Sequence, residues 1–303
     1  MELATQPRTI DVHLPEVSLT ALCWGPEDGP LAVCLHGYPD TAWTWRYLGP
    51  ALAAQGWHVV APFTRGYAPS KLPADGSYHV GALMDDAIGV YRALGGDERA
   101  VVIGHDWGAI TANALGAYPG SPFRRVVSMA IPPIPGMTPP RGGVWQTIKF
   151  AGLLLKQATY SWYIIFNQIP WVAERSLDRL IPFLWRRWSR GYDGAADVSY
   201  VLASLDARKN RSAALGYYRA VARPGQVPER YREAQRFAFD APQVPTLCLH
   251  GSEDGCLAVG LTARVRDSLP AGSDLVRIPN AGHFLQLEEP EVVEKAVLRF
   301  LQS

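Results

Sequence analysis

Val101-Val102-Ile103-Gly104-His105-Asp106-Trp107-Gly108-Ala109 runs from an apolar strand through a tight turn into a helix. The continuous apolar run ahead of the turn is the pattern of a strand buried on both faces. A helical pattern over residues 109–118 follows at once. Between them stands Gly-x-Asp-x-Gly, in the strand–turn–helix setting of a nucleophile elbow, with Asp where Ser is usual. Flanking glycines remove the side chains that would clash in such a strained turn. Asp106 is therefore predicted to project from the carboxyl end of a sheet. Taken alone, the same residue would also suit a helix N-cap. The rest of the chain decides between the two.

Upstream, residues 9–14 and 18–24 read as a strand pair turned at Pro15, and 31–35, 57–61 and 100–103 as buried strands, with 125–131 downstream. Helical patterns at 45–54, 80–94 and 109–118 separate them. Strands alternating with helices predict a mainly parallel sheet. The alternation then breaks at 131–141, which holds five prolines. Residues 136–240 carry 17 of the 32 aromatic side chains, with helical periodicity and no convincing strand, and read as a helical insertion. Strands at 244–249 and 274–278, a helix near 257–269 and a closing helix at 290–301 resume the first pattern. The expected architecture is one α/β-hydrolase fold: a core of residues 1–135 and 241–303, a mostly parallel sheet flanked by helices, with 136–240 inserted as a helical cap.

Three further segments fit that fold in the order it uses. The strand at 31–35 ends in His36-Gly37-Tyr38-Pro39, the loop whose backbone supplies one N–H of an oxyanion hole. The second N–H comes from the residue after the nucleophile, so the expected pair is Tyr38 and Trp107. Asp254 follows a buried strand, with Glu253 as its neighbouring rival for the supporting acid. His283 lies in a loop after the last strand, giving the order nucleophile, acid, histidine. His36 reads as a loop-stabilising residue, and Asp40, Asp85 and Asp86 as helix or loop surface.

At these residues the chain resembles the epoxide hydrolase branch of the α/β-hydrolase superfamily, over nearly its whole length. His36-Gly37-Tyr38-Pro39-Asp40 is similar to that family's oxyanion loop, where Phe is usual at Tyr38. Arg65-Gly66-Tyr67-Ala68-Pro69-Ser70 resembles its Arg-Gly-Tyr-Gly-x-Ser segment, with Ala68 a departure, and Gly104–Gly108 matches its elbow. The resemblance implies two cap tyrosines that hold and protonate an epoxide oxygen. Tyr163, in Ser161-Trp162-Tyr163-Ile164-Ile165-Phe166, matches the first; Tyr218 matches the second, with Tyr217 the near alternative. It also implies a reaction: Asp106 attacks an epoxide carbon, Tyr163 and Tyr218 protonate the alkoxide, and His283 with Asp254 activates water against the resulting ester. Trp107, Tyr163 and Tyr218 are the expected substrate contacts.

Haloalkane dehalogenases share the Asp-Trp elbow and stand as the alternative, although they commonly place an Asn halide ligand where Tyr38 stands here. Fluoroacetate dehalogenases need Arg where Trp107 and Ile110 stand. A non-catalytic binder of a hydrophobic ligand is the reading from another class. A net charge of +1 excludes a dedicated nucleic-acid binder. No metal, nucleotide or flavin spacing is present, and no cofactor is expected. Cys23, Cys34 and Cys248, in or beside apolar strand-like runs, read as buried free thiols. Cys256 follows Asp254 closely but has no partner that would make it a nucleophile; a reducing cytoplasm is expected. No uncharged run reaches membrane-span length. The stretch 171–190, with Arg186-Arg187-Trp188, reads as core packing with a solvated basic face in preference to a membrane contact. The expected partner is a small apolar epoxide, and a homodimer is left open.

Overall fold

Apolar runs too short for helices became the centre of one sheet. The computed structural model describes residues 6–139 and 143–303. Its eight strands are β1 (Arg8–His13), β2 (Ser18–Trp24), β3 (Leu31–Leu35), β4 (His58–Pro62), β5 (Val101–His105), β6 (Arg125–Met129), β7 (Thr246–Gly251) and β8 (Asp274–Ile278). They lie in the order β1-β2-β4-β3-β5-β6-β7-β8. β1, β2 and β4 pair antiparallel, and every pairing from β4 onward across the sheet is parallel. All residues of β3, β4, β5 and β7 are buried, because helices cover both faces.

Around the sheet lie α1 (Leu48–Ala53), α2 (Val80–Ala93), α3 (Trp107–Ala117), α10 (Leu285–Glu288) and α11 (Pro290–Gln302). Between β6 and β7 the chain makes α4 (Val144–Tyr160), α5 (Trp162–Phe166), α6 (Val172–Trp188), α7 (Ala195–Ser204), α8 (Arg208–Val221) and α9 (Arg232–Gln235), and no strand among the described residues. The register explains where the site forms. Leu35 at the end of β3 pairs with Gly104, and His105 at the end of β5 pairs with Met129. From β3 the chain passes to β4 on one side, whereas β5 lies on the other. The crevice at such a switch point, beyond the carboxyl ends of the strands, is where open α/β sheets bind ligands.

Two expected helices came out differently. The helix expected at 45–54 is a 3-10 turn, Ala42–Trp45, followed by α1, because Pro50 has no N–H to donate and is tolerated only in a first turn. The one expected near 257–269 is two 3-10 turns, Val259–Thr262 and Val265–Ser268. Gly260 disfavours a continuous helix through this stretch. As expected, the stretch 171–190 is core packing: α6 buries Leu177, Leu180, Ile181, Leu184, Trp185 and Trp188. No helix among the described residues is long and apolar enough to cross a membrane.

Asp40 and Asp86 are buried, not surface residues as expected. Asp86 is held by a buried partner 21 residues away: Arg65 Nε and Nη2 each donate to its carboxylate at 2.6 Å, and Nη1 donates to Ser77 O at 2.7 Å. Removing one member of such a pair strands the other's charge in a dry interior. Arg65→Ala is therefore expected to cost about 3–5 kcal/mol in chemical denaturation. Adding Asp86→Leu to it should recover part of that loss; a double variant less stable than either single one would refute the pairing argument.

Candidate active site

The elbow forms as the glycine pattern predicts. Asp106 sits between β5 and α3 with φ 52° and ψ −115°, a conformation that L-residues rarely adopt. The turn is tight enough that a β carbon at Gly108 would lie 1.9 Å from the Leu35 carbonyl oxygen. Gly37 is equally constrained: a β carbon there would stand 2.4 Å from Asp106 Oδ1 and 2.5 Å from the Trp107 nitrogen. The bare glycine lets the β3 loop close on the carboxylate, and the Tyr38 amide donates to Oδ1 at 2.8 Å. Of the two expected oxyanion amides, that of Tyr38 is bonded to Oδ1, and both that of Trp107 and Oδ1 crowd the α carbon of Gly37.

His283 stands on the other side of the carboxylate. Its Nε2 is 3.6 Å from Asp106 Oδ2, and its Nδ1 is 3.0 Å from Asp254 Oδ2. A carboxylate can only accept, so Nδ1 donates its proton to Asp254, and a protonated ring also turns its Nε2–H toward Asp106. Burial opposes ionisation of Asp254, but His283 and the donated amides of Cys256 and Leu257 hold its carboxyl below the ordinary value. Burial likewise opposes a charged His283, yet Asp254 and Asp106 outweigh it and raise the imidazole well above its usual range. Glu253, the neighbour of Asp254, is exposed, and it is Asp254 that bonds His283.

The helical insertion holds these loops in place. The Trp188 carbonyl at the end of α6 accepts from the amides of both Gly255 (3.1 Å) and His283 (3.0 Å). Trp185 stacks on Phe284 at 3.5 Å, and its indole N–H donates to Pro39 O at 2.9 Å. One helix therefore touches all three loops around Asp106. His36 is loop-stabilising, as expected: Nε2 accepts from the Thr64 amide at 3.0 Å, which leaves Nδ1 to donate to Gly37 O at 2.9 Å.

Both tyrosines singled out from the sequence reach the site. A cavity of about 350 Å³ is lined by Asp106, Trp107, Tyr163 and Tyr218, with Ile110, Ile131, Val221 and Leu257 among its apolar walls. The Tyr218 ring makes edge contacts with Tyr38, Trp107 and Tyr163, at centroid distances of 5.1, 5.1 and 5.7 Å. Its hydroxyl is buried without a hydrogen-bond partner. The neighbouring Tyr217 points elsewhere, donating to Arg65 O at 2.8 Å. Burial, then neighbouring groups, push both the Tyr163 and Tyr218 hydroxyls well above the ordinary phenol range, so both stay protonated. Cys256, set aside as a nucleophile for want of a partner, proves to be a wall residue: its Sγ lies 3.5 Å from the Tyr163 hydroxyl. Its place just after Asp254 was the only available signal.

A sequence model described as the alpha/beta hydrolase family matches residues 32–296. Epoxide hydrolase A of Mycobacterium tuberculosis is 32% identical over 326 residues, covering 98% of each chain. An AB hydrolase superfamily protein of Bacillus subtilis is 29% identical, over 96% of this chain and 97% of its own. Among solved structures, epoxide hydrolase A from Mycobacterium thermoresistibile superposes with a TM-score of 0.75 at 26% identity, covering 98% of both chains. An epoxide hydrolase from Vigna radiata shares the fold, with a TM-score of 0.75 at 20% identity over 98% of both chains.

Proposed function

This chain belongs to the alpha/beta hydrolase family, and we propose that it is an epoxide hydrolase, converting small apolar epoxides to vicinal diols without a cofactor. The observation that carries the reading is the pair Tyr163 and Tyr218, two protonated phenols on the wall of an apolar cavity that also exposes Asp106. The full-length likeness to epoxide hydrolase A supports it. A strained ether opens when a carboxylate attacks an sp³ carbon while an acid protonates the departing oxygen. Oδ1 of Asp106 is tied to the Tyr38 amide, so Oδ2 is the oxygen free to attack. The product is an alkyl ester of Asp106, and the alkoxide takes its proton from Tyr163 or Tyr218.

Ester hydrolysis reuses the same geometry. His283 Nε2, beside the ester, takes a proton from water, which attacks the Asp106 carboxyl carbon. Charge then grows on Oδ1, where the amides of Tyr38 and Trp107 receive it. In this scheme the insertion serves as a cap that excludes bulk water and supplies the acids. All four cysteines are free and buried, which fits the reducing cytoplasm we assign to the protein.

An epoxide panel with parallel halide detection tests the assignment. Diol formation without halide release from chloro- or bromoalkanes is the expected result; halide release without diol would turn it to a dehalogenase. The tyrosines separate by substitution. Tyr163→Phe and Tyr218→Phe are each expected to slow ring opening, and the double variant to lose about 10²–10⁴-fold in single-turnover alkylation. Tyr217→Phe should instead lower thermal stability with little change in that rate, since its hydroxyl bonds the Arg65 carbonyl. The reverse ranking would reassign the second acid.

A further inference from the structure

The proposed reaction has no use for the Cys256 thiol, yet the thiol stands among its working groups. Cys256 is 4% exposed and lines the same cavity as Asp106. Its Sγ, a ring nitrogen of His283 and a carboxylate oxygen of Asp106 all lie within 4.8 Å of one another. His283 is fully buried, and its Nε2 faces Asp106 at 3.6 Å without a hydrogen bond to occupy it.

Thiolate, imidazole and carboxylate are a donor set for a borderline-soft divalent cation, and bonds of 2.0–2.3 Å in a tetrahedron put the donor atoms roughly 3.3–3.8 Å apart. Closing the three side chains on an ion thus requires a contraction of at most about 1–1.5 Å in any pair. Asp106 and Cys256 both line the cavity, which can supply a water as the fourth ligand. The outer support is also present, because the other nitrogen of His283 is held by Asp254 at 3.0 Å.

We propose that Asp106, Cys256 and His283 form a reversible site for a thiophilic divalent cation such as zinc or cadmium, and that its occupancy switches the enzyme off. Binding forms a sulfur–metal bond and releases the thiol proton, together with the imidazolium proton where His283 carries one. The ion takes the Asp106 oxygen and the His283 nitrogen that the reaction needs, so it is an inhibitor and not a cofactor. Magnesium, which demands oxygen ligands in an octahedron, is excluded by the donor set. The loss of turnover rests on the epoxide hydrolase reading; metal binding does not.

Cadmium titration of the metal-free full chain reads binding directly through the ultraviolet thiolate-to-cadmium absorption. Wild type, Cys256→Ala and Cys256→Ser are compared, and circular dichroism checks that the variants fold. In the wild type the band should saturate at one equivalent. Neither variant should show it, although Cys23, Cys34 and Cys248 remain. Zinc should inhibit wild-type epoxide turnover, and half-inhibition of the variants should need at least the ~10–100-fold more zinc that losing an outer-shell partner costs. Magnesium at the same concentrations should leave turnover unchanged. Absence of the band in the wild type, or equal zinc curves for all three proteins, would overturn the site. A one-equivalent band with no epoxide turnover to inhibit would uphold the site and count against the reaction.

Discussion

In the His283→Gln protein, epoxide is expected to add its full mass to the chain and stay there. Alkylation needs the Oδ2 atom of Asp106 and the hydroxyls of Tyr163 and Tyr218, none of which the substitution removes. Hydrolysis needs a base beside the ester, and a glutamine amide cannot take a proton from water. Turnover should fall by about 10²–10⁴-fold, with one equivalent of adduct visible by intact-mass spectrometry. No adduct from an epoxide that the wild type turns over would sink the two-step scheme. The charges around His283 sharpen this expectation. In the free enzyme, burial is outweighed by Asp254 and Asp106, and the imidazole holds its proton well above the usual range. Esterification removes the negative charge of Asp106 and leaves that of Asp254. The imidazole pKa therefore drops at the step where a neutral base is required. Hydrolysis of the ester should slow as pH falls through that lowered value, because the protonated ring cannot act as base. Stopped-flow measurement of ester decay against pH reads it directly.

The proposed nucleophile was legible because its signals are local. Strand, glycines and helix lie within nine residues, and Asp254 and His283 come later in a fixed chain order after strands that announce themselves. What depended on facing was not legible. Tyr217 and Tyr218 are neighbours on α8, about 100° apart around the helix, and no local feature says which side meets Asp106. The structure separates them through Arg65, whose carbonyl occupies the Tyr217 hydroxyl. Arg65 also explains the misread Asp86, since a buried ion pair spanning 21 residues leaves no periodic trace. Cys256 was visible as a thiol after an acid, but its neighbours Tyr163 and Asp106 come from distant parts of the chain.

Asp106→Asn is expected to abolish both adduct and diol, a loss on the order of 10⁴–10⁶-fold. The substitution is chosen for what it keeps. Asparagine tolerates the positive φ of 52° better than most residues, and its carbonyl oxygen can still accept from the Tyr38 amide. The fold should survive, with a melting temperature near that of the wild type. What disappears is a nucleophile, because a neutral amide does not open an epoxide as a carboxylate does. One negative charge beside His283 disappears as well, so the imidazole should titrate at lower pH than in the wild type, which NMR of the ring protons can follow. The two readouts are independent. If diol forms at a wild-type rate while the His283 titration moves as expected, the carboxylate is a structural neighbour of the histidine and water attacks the epoxide directly. If no diol and no adduct form while the protein melts normally, the strained turn exists to present Asp106 to the substrate. Its alternative role, capping α3, is not realised, since no side-chain hydrogen bond from Asp106 reaches that helix's amides.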